Sequence, residues 1–192
     1  MKKTALIVVD MVKAFFDPKG SSYYQESSEV LENVSLLMKV ARQNKLFIVH
    51  SVERHFANIV DDEQKKIPIH CIMNTLDCEY VPGAEPISSN FEIELPKRRY
   101  SAFMATDLDL VLRAQGIQRV VIVGVKTNVC IRATAQDGFA LGYEVVVPLG
   151  CTNSNRAHLA QASYEDIQRY IGSTPTINEA VTLLEGLVND AQ

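Results

Sequence analysis

Residues 119–138 read RVVIVGVKTNVCIRATAQDG, an apolar run that gives way at Lys126-Thr127 to a segment of helical character. RVVIVGV (119–125) suits a buried strand, and a helix follows from about 128 to 141. The turn between them carries Cys130. If Thr127 caps that helix, Cys130 falls in its first turn, where unpaired N–H groups and the positive end of the helix dipole favour a thiolate over a thiol. The same amides could stabilise an oxyanion formed when a thiolate attacks a carbonyl. The alternative is that Cys130 is a small core residue, because free cysteines are among the most buried residue types.

Working outward, other segments repeat the strand-then-helix pattern. TALIVVD (4–10) is a nearly continuous apolar run suited to a strand covered on both faces. A helix follows, with Val30, Val34, Leu37 and Ala41 on one stripe and Ser27 or Ser28 as N-cap. KLFIVHS (45–51) is a second strand. The stretch 52–100 holds Pro68, Pro82, Pro86 and Pro96 with little periodicity, so it reads as an extended loop region with short elements, of the kind that usually serves function. TDLDLVLRAQG (106–116) reads as a helix with Thr106 as N-cap, Asp109 closing a capping box and Gly116 as the stop. YEVVVPL (143–149) is a further strand, ASYEDIQRYI lies in a helix, and TINEAVTLLEGLV (176–188) opens with Thr176 and Glu179 at capping-box spacing. Alternating strands and helices predict an α/β fold, a three-layer α-β-α sandwich about a mostly parallel central sheet, over residues 1–192 as one domain.

Composition narrows the function. The chain has 192 residues, 47% hydrophobic and 22% charged, with a net charge of −4 and no basic stripe, which argues against nucleic acid as a partner. The apolar core of MKKTALIVVDM is only LIVV before Asp10, so it reads as a strand and not a signal peptide, and no stretch is long enough to span a membrane. Cys71, Cys78, Cys130 and Cys151 form no CxxC pair, and a cytoplasmic protein with free thiols is the simplest account. No GxGxxG or Walker sequence supports dinucleotide or nucleoside triphosphate binding.

In α/β sheets, ligands bind beyond the carboxyl ends of the strands, which singles out Asp10, His50/Ser51 and the segment from Val125 to Cys130. Asp10 could take the thiol proton and later deliver it to a leaving amine; its structural alternative is a turn cap. In LPKRRYSAF, one cation turned inward would balance Asp10 and a thiolate, and Lys97, Arg98 and Arg99 are equal candidates by position.

With these anchors in hand, nearly the whole chain resembles the isochorismatase-like cysteine hydrolases, which include nicotinamidases and N-carbamoyl amidohydrolases. The resemblance rests on LIVVD, on the lysine of KRRYSAF, and on GVKTNVCIRATAQDGFALGY, which is similar to the family's Gly-Val-x-Thr-x-x-Cys before a helix carrying Thr-Ala-x-Asp. It implies a triad of Cys130, Asp10 and Lys97, a cis peptide at Val125–Lys126, and an oxyanion hole from the backbone amides of Lys126 and Cys130. The implied reaction is cleavage of an amide or carbamoyl C–N bond of a small molecule through a thioester.

Two departures from the family pattern stand out. Asp10-Met11-Val12 replaces the common Asp-x-Gln. Nicotinamidases hold a divalent ion through Asp-x-His and further histidines, whereas here Glu53-x-His55 and His70 occupy similar contexts, with one usual histidine missing. A carboxylate and two imidazoles suit Zn²⁺, Mn²⁺ or Fe²⁺. Phe16, Tyr100, Phe103, Asn128 and Arg132 flank the anchors and are expected to shape the substrate pocket, with Arg132 able to meet a substrate carboxylate. The family also implies a homo-oligomer, a dimer or tetramer, with the apolar C-terminal helix as one surface for it. Two further readings share the fold: a vinyl-ether hydrolase of the isochorismatase type, which does not need the cysteine, and a non-catalytic binding or scaffold protein, favoured by Val12.

Overall fold

The computed structural model describes residues 2–186. Its elements run β1 (Thr4–Val9), α1 (Lys13–Phe16), α2 (Leu31–Gln43), β2 (Phe47–Glu53), β3 (Glu92–Lys97), α3 (Leu108–Ala114), β4 (Arg119–Val125), α4 (Arg132–Ala140), β5 (Glu144–Val146), β6 (Thr152–Asn153), α5 (Ala157–Tyr170) and α6 (Ile177–Leu184). All the named strand pairs are parallel, in the order β3-β2-β1-β4-β5, with β6 continuing beside the end of β4.

The period-2 alternation of strand side chains divides the core in two. Leu6, Val8, Ile48, Val121 and Val123 face the layer of α2 and α6, together with Val34, Leu37, Ala180 and Leu184. Ala5, Ile7, Val9, Val49, Val120 and Ile122 face α3, α4 and α5, together with Leu112, Ile131, Ala135 and Ile167. Covering both faces requires strands that are apolar throughout, and β1, β2 and β4 are buried at every position. This is the expected three-layer α/β sandwich. No helix among the described residues is long and apolar enough to cross a membrane.

Several local expectations need correction. The 52–100 stretch contains β3, an edge strand hidden from the sequence pattern because it is half exposed and holds Pro96, which an edge position tolerates. No side chain of Ser27 or Ser28 caps α2, which grows out of a 3₁₀ turn at Gln25–Val30. Thr106 does meet the start of α3, its hydroxyl accepting from the Leu108 amide at 3.2 Å while donating to the Ala102 carbonyl, but Asp109 bonds Arg113 and Tyr143 instead of closing a capping box. The strand after α4 ends at Val146, two residues short of Pro148. The capping box at Thr176 and Glu179 is present, and the apolar face of α6 packs into the chain's own core against α2. Residues 187 and 188 of the expected helix lie outside the described residues.

His50, one of the strand-end candidates, turns out to be structural. Its Nε2 lies 2.7 Å from Glu92 Oε1, and Glu92 also accepts from Arg42 at 2.6 and 3.1 Å and from the Ile87 amide at 3.2 Å. Glu92→Ala strands these groups and is expected to cost about 2–3 kcal/mol, less than a fully buried pair because Arg42 still reaches water. A urea unfolding curve measures the loss, and an unchanged midpoint would refute the assignment.

Candidate active site

The sheet delivers three side chains to one point. β1 ends at Asp10, whose φ of +54° turns the chain sharply in a left-handed conformation that aspartate tolerates better than most residues. β2 ends at Glu53, and its amide donates to Asp10 Oδ1 at 2.8 Å. The β2–β3 register sets Lys97 opposite Glu53. Lys97 is fully buried, while Arg98 stacks over Phe56 and Arg99 faces Asp61 and Asp62, which resolves the choice among the three cations.

From the fourth strand comes Cys130. Gly124 makes this possible: its φ is +114°, and a Cβ there would lie 2.0 Å from the Val9 carbonyl oxygen. The Val125–Lys126 peptide is cis. Residues Thr127–Ile131 then form a π-helical turn leading into α4. Thr127 does not cap that turn; its hydroxyl bonds that of Thr152 at 2.9 Å, and Lys126 occupies the cap position without a side-chain bond. The Lys126 amide donates to no group among the described residues.

Lys97 Nζ sits 2.9 Å from Asp10 Oδ2, 3.0 Å from Glu53 Oε1 and 3.5 Å from Cys130 Sγ. The thiol is also 3.5 Å from Glu53 Oε1. Burial and this arrangement push the two carboxylates apart. Burial raises Asp10 to about 6 against the pull of the Lys97 ammonium. For Glu53 burial acts in the same upward sense, but the Lys97 ammonium and the His70 hydrogen bond outweigh it and hold the carboxyl well below its ordinary range. Burial pushes the Cys130 thiol well up, Lys97 pulls it back, and Glu53 and Asp10 raise it further. Burial and the two carboxylates therefore work against the thiolate expected from its place at a helix start, and the Lys97 ammonium works for it. Glu53 is a fixed anion, and Asp10 is the carboxyl able to gain and lose a proton near neutrality. Nothing in the sequence marked Glu53 as a neighbour of the thiol.

Cys130, Glu53 and His70 open onto a cavity of about 700 Å³. Of the residues expected to shape it, Tyr100, Asn128 and Arg132 line it, and Asn128 Oδ1 is buried without a partner among the described residues. Arg132 is exposed and paired with Asp166 at 2.8 Å. Phe16 and Phe103 do not line it: Phe16 packs against the α2-side core and Phe103 stacks on Tyr143 in the opposite layer. The phenylalanine at the cavity is Phe15.

Beside the cavity, Glu53, His55, Glu63 and His70 are all buried and offer one ligand atom each within 4.8 Å of one another. His55 Nδ1 lies 2.6 Å from Asp61 Oδ2, and His70 Nδ1 lies 2.9 Å from the Pro68 carbonyl oxygen. Each acceptor holds a proton on Nδ1, which leaves His55 Nε2 open as a ligating atom, as in metal-bound histidines, whereas His70 Nε2 is bonded to Glu53 Oε2 at 2.9 Å, a contact that an ion between the two would replace. His55 Nε2 and both oxygens of Glu63 are buried without hydrogen-bond partners among the described residues, which is costly unless a cation meets them. Two imidazoles and two carboxylates fit a borderline divalent ion. Glu63 offers a fourth atom able to ligate an ion, one that the sequence did not announce, because it lies in an irregular loop with no telling spacing.

Known proteins share this arrangement of elements. A probable inactive nicotinamidase of Arabidopsis thaliana is 29% identical over 188 residues, covering 93% of this chain and 94% of that protein. A ureidoacrylate amidohydrolase of Cronobacter turicensis is 30% identical over 196 residues, covering 89% and 84%. The crystal structure of a pyrazinamidase of Pyrococcus horikoshii in complex with zinc superposes with a TM-score of 0.79 at 29% identity, covering 90% of this chain and 99% of that one. With a buried cysteine at the carboxyl edge of a parallel sheet and an isochorismatase domain matched over residues 4–179, the chain belongs to the isochorismatase-like cysteine hydrolase family.

Proposed function

We propose that this protein is a cysteine-dependent amidohydrolase that cleaves a C–N amide or carbamoyl bond of a small molecule. The observation that carries the reading is the Lys97 ammonium held between Asp10, Glu53 and the Cys130 thiol at the wall of a cavity.

Cys130 Sγ attacks the substrate carbonyl carbon, and its proton passes to Asp10. Lys97 keeps the emerging negative charge on sulfur and carboxylate balanced, and the free Lys126 amide, with that of Cys130, receives the carbonyl oxygen as its charge develops. Asp10 returns the proton to the leaving nitrogen, and the C–N bond breaks to leave a thioester. Asp10 then takes a proton from water, the hydroxyl adds to the thioester carbon, and Cys130 leaves as the thiol. Asn128 Oδ1, otherwise unpartnered, accepts an N–H of the substrate.

Glu53, His55, Glu63 and His70 would hold a divalent cation, which when bound supplies a Lewis-acidic charge at the cavity wall. Glu63→Gln is expected to weaken zinc binding by about tenfold or more. Competition with a chromophoric chelator measures it, and equal affinity in both proteins would remove Glu63 from the ligand set.

An ammonia-release screen over nicotinamide, pyrazinamide, ureidoacrylate and N-carbamoyl amino acids tests the activity, with and without chelator. Release from at least one compound, lost in Cys130→Ala, supports the reading. Silence across the panel favours the non-catalytic alternative, to which Val12, fully buried beside Asp10 where relatives often carry glutamine, lends its weight.

A further inference from the structure

The cavity's free positive charge is not where the sequence put it. Arg132 is spent on Asp166. Lys126 is not: its Nζ lies 5.6 Å from the Phe15 ring centre and 5.1 Å from that of Tyr24, and no carboxylate lies within ion-pair distance of it among the described residues. Tyr24 is itself fixed, its hydroxyl donating to Asn153 at 2.8 Å. Two aromatic faces thus hold a half-buried ammonium at the mouth of the nucleophile's cavity, stabilised as a cation but unneutralised. Arg156 lines the same cavity, also without an ion pair among the described residues, and it is close enough to lower the Lys126 pKa, after burial and against the pull of Cys130 and Glu53. Of the acids on this wall, Glu53 is already matched by Lys97 and His70, which leaves Asp137 alone against the two cations.

We infer that Lys126, assisted by Arg156, is the anchoring point for a carboxylate on the substrate, and that the enzyme acts on ureido or amido acids in preference to neutral amides. The inference rests on the amidohydrolase reading for its chemistry, but the anion subsite is a property of the cavity and is measurable without turnover. A ureido acid presents its carbonyl to Cys130 and its carboxylate to Lys126, which leaves the neutral carbamoyl end for Asn128. Lys126 then serves twice: its backbone amide faces the reacting oxygen and its side chain selects the molecule that carries it.

The probes are 3-ureidopropionate and its methyl ester, titrated calorimetrically into Cys130→Ala, which binds without turnover. The acid is expected to bind at least roughly 30-fold more tightly than the ester, because a half-buried ammonium gains its only counter-charge. That preference should collapse in Cys130→Ala/Lys126→Met and return in Cys130→Ala/Lys126→Arg, while Arg156→Gln in the same background reduces it about two- to fivefold, as an exposed cation would. The ratio of acid to ester is the readout, so a general loss of affinity in a variant does not mimic the result, and circular dichroism confirms that each variant is folded. Equal affinity for acid and ester in Cys130→Ala, or a preference indifferent to Lys126, overturns the inference. Failure of the amidohydrolase reading looks different: the acid binds preferentially through Lys126, yet neither probe releases ammonia with Cys130 intact.

Discussion

Cys130→Ala is expected to lower ammonia release from the best substrate by about 10⁴-fold or more, the loss that follows removal of the nucleophile from a unit whose members act together. Its fold should survive. The side chain is small and its sulfur's contacts with Lys97 and Glu53 are long, 3.5 Å each, so the thermal midpoint should stay within a few degrees of wild type. Steady-state kinetics and calorimetric melting on the same preparation separate the two. A variant that melts normally and still turns over at more than about a hundredth of the wild-type rate would remove the cysteine from the chemistry, because no alternative nucleophile reproduces a covalent step at that efficiency.

Lys97→Met should damage both activity and stability. Methionine matches the length of the lysine stem but leaves the buried carboxyls of Asp10 and Glu53 without the cation that lay between them. Removing one partner of a buried charge cluster costs about 3–5 kcal/mol. The deficit has a sign in pH. Asp10 is already raised from 3.8 to about 6 with the ammonium present. Without it the carboxyl rises further, so the native state holds a proton that the unfolded chain has released. Stability contributed by such a group is complete below the unfolded pKa and is lost as the pH rises through the folded one. Lys97→Met should therefore be nearest to wild type in mild acid and fall furthest behind above pH 6. Denaturant titrations at several pH values measure this, and a deficit that shrinks as pH rises would contradict a lysine neutralising two carboxylates.

These expectations also mark how far the sequence could be read. Asp10 and Cys130 were legible because one directly follows, and the other lies within a turn of, an apolar run that reads as a buried strand, and the end of such a strand has a known place in the fold. By position Lys97 was one of three cations, singled out only by the family resemblance, and the pairing of β3 with β2 turns it inward. The left-out strand itself escaped notice because an edge position relaxes the apolar pattern and accepts Pro96. Phe16 and Phe103 were plausible neighbours along the chain, but side-chain direction sent one to the α2 layer and the other onto Tyr143, and set Phe15 at the cavity.

What the sequence determined by itself is the layered α/β fold and the two strand-end groups, because hydrophobic period and strand order are properties of local segments. What only the tertiary structure decided is which charges meet. Glu53 touches the thiol, Glu63 joins two histidines, Arg132 is taken by Asp166 and Lys126 has no ion pair among the described residues, and none of these arrangements follows from spacing. They depend on distances between segments that are far apart in the chain, and Coulomb energy depends on those distances alone.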